Sequence, residues 1–207
     1  MKKTSISIVI IAIAILSSYW LKNLIGANIF ESYSFSKYFP FKYLQQGCTL
    51  QPESGDTIID ESFNTRFFFK RDWSNLWMVE KGKVVRSYDT NGFHNSRCLL
   101  IKSSSDKSWV YSSLKYIAVK KGDVFSYTGF LSLKGKNTYA GFSFTSYDKN
   151  KNVIKWNHET TKKNQSNEVI KIAKQFTVTD EIAFIKFKIF GRGAGEFRFD
   201  DIALSKL

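Results

Sequence analysis

Aromatic and polar side chains outside the predicted core are the residues of this chain best suited to contact a ligand. The 207-residue sequence holds 19 Phe, 10 Tyr and 5 Trp. A flat aromatic face can cover the C–H side of a pyranose ring, while amide, guanidinium and hydroxyl groups bind its hydroxyls. The candidates are Tyr139, Tyr147, Trp156, Asn157 and Arg192, with Trp73, Trp77 and Trp109 near strand ends. For each aromatic residue the alternative is an ordinary place in the core.

Catalytic chemistry has little support in the sequence. The two histidines, His94 and His158, have no partner at a catalytic spacing, and the chain has no Gly-x-Ser-x-Gly, phosphate-binding glycine loop or HExxH motif. We therefore expect a protein that is not an enzyme. A carboxylate pair for glycoside hydrolysis can come from distant strands, so a polysaccharide-modifying enzyme is an alternative.

The two cysteines, Cys48 and Cys98, form neither a CxxC motif nor a cluster with histidine, so no zinc site is expected. Cys98 lies in an apolar stretch, where cysteine behaves as a small hydrophobic residue. It is either a buried thiol or the partner of Cys48 in a disulfide, which an oxidising compartment would permit.

The charge is strongly positive, with 31 Lys and Arg against 18 Asp and Glu and a formal net charge of +13. A field of this sign attracts acidic polysaccharide, lipopolysaccharide phosphate or an anionic membrane surface. The basic residues are scattered along strands and turns and form no basic helix or RNP-like motif, so nucleic acid is not an expected partner. The alternative is a lysine-rich surface with no anionic partner.

Residues 6–21 form an uncharged apolar segment, preceded by Lys2 and Lys3 and followed by Lys22. Its length lies at the short end of the range for a membrane-spanning helix. The two leading lysines favour a cytoplasmic N-terminus and place the rest of the chain in the periplasm or outside the cell. A cleaved signal peptide is the main alternative and a buried helix is another.

The remaining sequence predicts strands. We expect an anchor or signal peptide at residues 1–22, a juxtamembrane connector at 23–56 and a β-sandwich at 57–207. Short alternating runs between turn signals support the sandwich. One predicted strand places these residues on a single face: Phe125, Tyr127, Gly129, Leu131 and Leu133. Residues 138–148 and 181–190 alternate in the same way, and residues 162–174 are the only ambiguous stretch.

Four segments, in this order, resemble the galactose-binding-domain-like jelly roll of many carbohydrate-binding modules. They are Ser62-Phe63 followed by Trp73, residues 94–101, Trp109 followed by residues 117–128, and the closing residues 195–204. The last segment, Gly-Glu-Phe-Arg-Phe-Asp-Asp-Ile-Ala-Leu, is similar to the family's "G-x-x-x-F-D-D-V-x-L". The match departs from the family pattern at Asn64, Ser96 and Lys121.

The resemblance implies an all-β jelly-roll sandwich, here with an N-terminal transmembrane helix, and a carbohydrate ligand on the concave sheet. It also implies a structural Ca²⁺, since Asp200 matches the acid of the closing motif. Asp201, Asp60 and Glu61 are nearby options for further oxygen ligands. Asn64 stands where the family usually has a glutamate, which weakens the calcium inference.

Together these observations predict a membrane-anchored, non-catalytic carbohydrate-binding protein of a bacterial cell envelope, with an acidic polysaccharide preferred over a neutral one. A protein-interaction module in envelope assembly or secretion is the main alternative. Its support is the aromatic-rich connector, which could pack on a neighbouring membrane protein.

Overall fold

The computed structural model describes residues 49–63, 73–74, 76–93, 97–164, 166–179 and 181–207. Within these ranges the chain forms thirteen β-strands and no helix. The strands are β1 (Thr49–Leu50), β2 (Thr57–Glu61), β3 (Trp77–Met78), β4 (Val84–Asp89), β5 (Cys98–Ser103), β6 (Ser108–Ser112), β7 (Tyr116–Ala118), β8 (Val124–Gly135), β9 (Tyr139–Tyr147), β10 (Val153–Asn164), β11 (Ser166–Thr177), β12 (Phe184–Arg192) and β13 (Gly195–Lys206). The predicted all-β class is confirmed.

The described strands form two sheets that pack as a sandwich. Sheet A has seven strands: β10, β9, β12, β6 and β3 lie side by side, β7 pairs with the start of β12, and β1 pairs with β7. Sheet B has six: β11, β8, β13, β5 and β4, with β2 pairing with β13. All pairings are antiparallel except β1 with β7.

The predicted inward faces form the core. Alternate residues of a strand point to opposite faces of its sheet, and the apolar set of β8 is fully buried, as are Phe142 and Phe144 of β9. Phe187 of β12 lies with its ring centroid 5.6 Å from that of Phe142 and 5.2 Å from that of Phe144. The alternation in the sequence therefore identified both inner surfaces of the sandwich.

Two boundaries differ from the sequence-based expectation. Thr49–Leu50, placed in the connector, pair in parallel with Tyr116 and Ile117 of β7, so the sandwich begins before residue 57. The ambiguous stretch 162–174 covers the end of β10 and most of β11, both strands.

Cys98 is a free, buried thiol, and burial raises its pKa to about 11.

The predicted anchor, residues 6–21, lies outside the described residues, as do Cys48, Asn64 and His94. Among the residues that are described, no helix is long and apolar enough to cross a membrane.

Trp109 fixes the contact between β6 and β12. Its indole is completely buried against the rings of Phe197 and Phe199, with centroids 5.0 and 6.1 Å away. Gly191, its partner across the strands, lies directly against the indole. A Cβ at Gly191 would lie 2.3 Å from Cζ2 of Trp109, so a side chain has no room there.

We predict that Gly191→Ala lowers the free energy of unfolding by about 2–3 kcal/mol, because the added methyl group forces the buried indole to move. Urea unfolding followed by tryptophan fluorescence measures this loss. Gly55→Ala is the comparison: its Cβ would meet no atom within 4 Å, so its cost comes from the positive φ alone and should be about 1 kcal/mol. An unchanged midpoint for Gly191→Ala would contradict the packing argument.

Candidate functional site

The outward face of β12 carries a row of aromatic and cationic side chains. Ile185, Phe187 and Ile189 point into the core and are fully buried. The intervening positions therefore share the opposite face. They are Phe184, Lys186, Lys188, Phe190 and Arg192.

A cleft of about 350 Å³ lies over one end of this row. β9 and β6 flank β12 there, with Gly141 and Val110 opposite Phe190. The cleft brings together aromatic, amide, hydroxyl and ammonium groups from β9, β10 and β12. They include Tyr139, Asn157, Thr160, Lys162, Lys188 and Phe190.

Lys188 is the unusual residue of the cleft, because its side chain is charged and only 4% of the residue is exposed. Its Nζ donates hydrogen bonds to the carbonyl oxygen of Trp156 and to Oδ1 of Asn157, the latter at 3.0 Å. Among the described residues no carboxylate pairs with it. Burial disfavours the charged form and lowers the pKa of Lys188 to about 8.

The two acceptors of Lys188 belong to an irregular part of β10. The pairing of β10 with β9 shifts register between Lys155 and Glu159. The Trp156 carbonyl in this interval also accepts a hydrogen bond from Oγ1 of Thr145, at 3.1 Å. These bonds hold the bulged segment of β10 against β9 and β12. The Trp156 residue itself is 68% exposed.

The aromatic part of the cleft comes from β9 and β12. The rings of Tyr139 and Phe190 meet edge to face at 6.3 Å. Nζ of Lys162 lies 5.2 Å from the centroid of Tyr139. Nearby, the hydroxyls of Ser143 and Thr160 are 2.8 Å apart. The cleft can therefore offer an apolar ring face and several hydrogen-bond donors to one ligand.

The structure brings two of the predicted site residues together, since Tyr139 and Asn157 both line the cleft. Trp156 precedes Asn157 in the chain but is not one of the residues that line the cleft. Arg192 lies at the end of β12 opposite Tyr139, and its Nε donates to the carbonyl of Asp106 at 3.0 Å. Trp77 is 56% exposed on β3, opposite Val110 of the cleft.

Two predicted ligand contacts, Trp73 and Trp109, are core residues instead. Trp73 is 7% exposed and stacks on Tyr111 at 5.1 Å, and Trp109 has no exposed surface. Both lie between the sheets, so neither ring face is open to a ligand. Trp109 supports the cleft from below, since it packs against Gly191 under the outward face.

Lys188, Lys162, Thr160 and Phe190 were missed in the sequence analysis. A signal for two of them was present, because assigning Ile185, Phe187 and Ile189 to the core places Lys188 and Phe190 on the other face. No local signal showed that β10 crosses over Lys188, since that contact joins residues about thirty positions apart.

The four carboxylates proposed for calcium do not form a joint ligand set. Asp200 is fully buried, and its two oxygens accept the backbone amides of Phe93 and Asp201 at 3.2 and 2.9 Å. Oε1 of Glu61 accepts the amide of Phe63 at 2.8 Å, and Asp60 is exposed. Within the described residues no three Asp, Glu, His or Cys side chains converge on one point. Calcium binding stays a prediction that these side chains alone do not support.

No protein-family model and no curated protein sequence matches the chain. Solved structures do share its fold. The CBM22-1 xylan-binding domain of Paenibacillus barcinonensis Xyn10C has a TM-score of 0.50 at 13% identity, covering 75% of this chain and 97% of that domain. The CBM22-1–GH10 modules of Clostridium thermocellum xylanase Xyn10B, complexed with xylohexaose, have a TM-score of 0.55 at 15% identity, covering 73% and 28%.

The enzymatically active domain of bacteriophage CBA120 tailspike protein 4 is a third similar structure, with a TM-score of 0.52 at 12% identity over 70% of this chain. This chain spans 20% of that tailspike's length. The shared feature of the three is the sandwich itself. The chain has the jelly-roll fold found in carbohydrate-binding modules, as the four sequence segments indicated.

The low pKa of Lys188 predicts a pH effect on stability. The pKa of Lys188 is about 8 in the folded chain and 10.5 in the unfolded chain. Between these two pH values the unfolded chain binds more protons than the folded chain. The contribution of Lys188 to the free energy of unfolding therefore rises with pH in that window. We predict that, as the pH rises from about 7.5 to 9.5, the free energy of unfolding of wild type increases relative to that of Lys188→Met. Urea unfolding of both proteins across this pH range measures the difference.

Lys162→Met is the matched control, because it removes an exposed lysine from the same cleft. The same pH trend in both comparisons would mean that burial of Lys188 does not cause it.

Proposed function

We propose that the protein binds polysaccharide in the cleft of sheet A and does not catalyse its breakdown. The observation that carries the proposal is the grouping of Tyr139, Phe190, Asn157, Thr160 and Lys188 around one cavity. The aromatic rings suit the C–H face of a sugar, and the amide, hydroxyl and ammonium groups suit its oxygens. The similar solved structures include domains described as xylan-binding, which supports this class of ligand.

The composition of the cleft favours binding over hydrolysis. Hydrolysis of a glycosidic bond generally needs two carboxyl groups on opposite sides of the bond. Of the described residues that line the cleft, none is Asp or Glu. Lysine, asparagine and threonine side chains can orient a sugar chain but cannot supply this acid and base pair.

The preferred ligand in this proposal is an acidic polysaccharide. Lys188 is a cation held away from water, and its hydrogen bonds go to neutral carbonyl oxygens rather than to a carboxylate. Lys162 adds a second positive charge at the same cleft. A uronate carboxylate or a phosphate ester would gain a charge-assisted hydrogen bond there that a neutral sugar cannot form.

We also propose that residues 6–21 anchor the chain in the membrane of a bacterial envelope, with the sandwich outside the cytoplasm. The uncharged segment and its flanking lysines support this placement. The jelly roll would then face the surface polysaccharide on the same side of the membrane.

The first test is glycan binding by the full-length protein in detergent, using an array of plant and bacterial polysaccharides and then calorimetry. We expect Tyr139→Ala to weaken binding about tenfold or more, equivalent to ~1.4 kcal/mol, because it removes an aromatic face from the cleft. Trp156→Ala should weaken binding in the same direction, because it removes an exposed ring next to Asn157 in the chain.

Tyr88→Ala is the control, since Tyr88 is an exposed tyrosine on sheet B. Failure of the folded protein to bind any glycan would reject the proposed function and favour a protein partner.

Charge gives a second test. Binding to polygalacturonate should be tighter than binding to neutral xylan and should weaken as NaCl rises from about 0.05 to 0.5 M, because salt screens exposed charges. Binding to xylan, if measurable, should change little. Equal affinity for the two polymers, or acidic-polymer binding that salt does not affect, would remove the acidic preference.

A further inference from the structure

The outward row of β12 ends at Arg192, which lies at the rim of the cleft. Arg192 pairs with Tyr139 of β9 on one side and with Ser108 of β6 on the other, and both of these residues line the cleft. Arg192 itself is exposed and is not one of the lining residues. It shares the outward face with Phe190, two residues earlier and about 7 Å away along the strand. A guanidinium group therefore adjoins the aromatic part of the cleft.

Two loops that connect the sheets hold this end of the cleft in place. The loop before Tyr139 contains Thr138, which is only 3% exposed. The loop after Arg192 contains Gly193, where a Cβ would lie 2.9 Å from Cγ2 of Thr138 and 3.1 Å from the carbonyl oxygen of Asn137. The loops therefore pack closely against each other, and this contact keeps Tyr139 and Arg192 side by side.

The guanidinium group of Arg192 has donors that the protein does not use. Its Nε donates a hydrogen bond to the carbonyl oxygen of Asp106 at 3.0 Å. The carboxylate of Asp106 pairs instead with Lys107, at 3.3 Å. Of the five N–H donors of a guanidinium group, those on Nη1 and Nη2 of Arg192 have no partner among the described residues.

These donors suit a carboxylate that is attached to a sugar ring. Nη1 and Nη2 of a guanidinium group form a planar fork that binds the two oxygens of a carboxylate at once. In a uronic acid the carboxylate is bonded directly to the pyranose ring. A ring that lies on Tyr139 and Phe190 therefore brings its carboxylate close to the residue that neighbours both of them.

We propose that Arg192 binds the carboxylate of a uronic acid whose ring lies on Tyr139 and Phe190. The inference rests on the proposed function of the cleft and specifies its ligand further, as a polysaccharide with free uronic acid carboxylates. The aromatic rings supply affinity that a neutral sugar shares, and Arg192 supplies the selection for the carboxylate. Lys188 and Lys162 add positive charge, but an ammonium group lacks the planar fork that matches a carboxylate.

The test compares polygalacturonate with its methyl ester, which has the same sugar chain without the charge. Each polymer is titrated into the full-length protein in detergent and followed by calorimetry. We expect Arg192→Gln to weaken binding of polygalacturonate at least about tenfold, as loss of a charge-assisted hydrogen bond does, and to leave binding of the methyl ester unchanged. Arg192→Lys should lose nearly as much, because lysine keeps the charge but not the fork. Tyr139→Ala should weaken binding of both polymers.

Lys134→Met is the control for net charge, since it removes an exposed lysine from sheet B. A urea midpoint close to that of wild type shows that each variant is folded. Equal losses in Arg192→Gln and Lys134→Met, or wild-type affinity in Arg192→Lys, would overturn the role of Arg192. If Tyr139→Ala still weakened binding in that case, the proposed function of the cleft would stand.

The choice of ligand separates the two proposals in the same way. Binding of other glycans but not of polygalacturonate would overturn the uronic acid inference alone. Absence of binding to every glycan would overturn both.

Discussion

The buried ammonium group of Lys188 determines the shape of the cleft. A cation without water is costly unless hydrogen bonds replace its hydration, and here the replacements come from the carbonyl of Trp156 and the side chain of Asn157. Both acceptors lie on β10, two strands away from β12. The hydrogen bonds that Lys188 requires therefore join β12, which lies under the cleft, to β10, which lies at its side. They also fix the irregular segment of β10 that carries Trp156.

The position of β12 under the cleft depends on the packing of its inward side chains. Phe187 of β12 packs against aromatic rings of β8 and β9, and Trp109 packs against Gly191 from below. Because the side chains of one strand alternate, the strand that contributes Phe187 to the core must present Lys186 and Lys188 outward. The candidate ligand contacts consequently lie on rigid strands, whose positions the core determines, rather than on loops.

The sequence predicted the parts of this structure that follow from alternation. Apolar residues two apart identified β8, β9 and β12, and the closing Phe-Asp-Asp motif identified β13 and the jelly-roll type. Tyr139 was assigned outward correctly because its neighbours Ala140 and Phe142 fit the core. Trp73 and Trp109 were assigned wrongly, since proximity to a strand end does not show which side of a sheet a large ring occupies.

The cleft could not be predicted in the same way, because it depends on contacts between distant strands. Thr160 and Lys162 reach it only through the register of β10 on β9, which shifts within the strand. Nothing in the local sequence around residues 153–164 specifies that shift. The sequence alone does not distinguish Lys188 from an ordinary solvent-exposed lysine. Its burial depends on the contact with β10.

The burial of Lys188 argues against a merely lysine-rich surface. On sheet B, basic and acidic groups neutralise each other: Lys102 pairs with Glu196 at 2.8 Å, and Arg198 pairs with Asp89 at 3.1 Å. Cations also lie over aromatic rings on both sheets: Lys171 over Phe130 on sheet B, and Lys162 and Lys186 over tyrosines on sheet A. Sheet A differs in having a lysine, Lys188, that is only 4% exposed and that lines a cleft together with aromatic rings. A surface selected only for solubility has no reason to bury a lysine in such a place, because lysine is almost never fully buried unless it is paired.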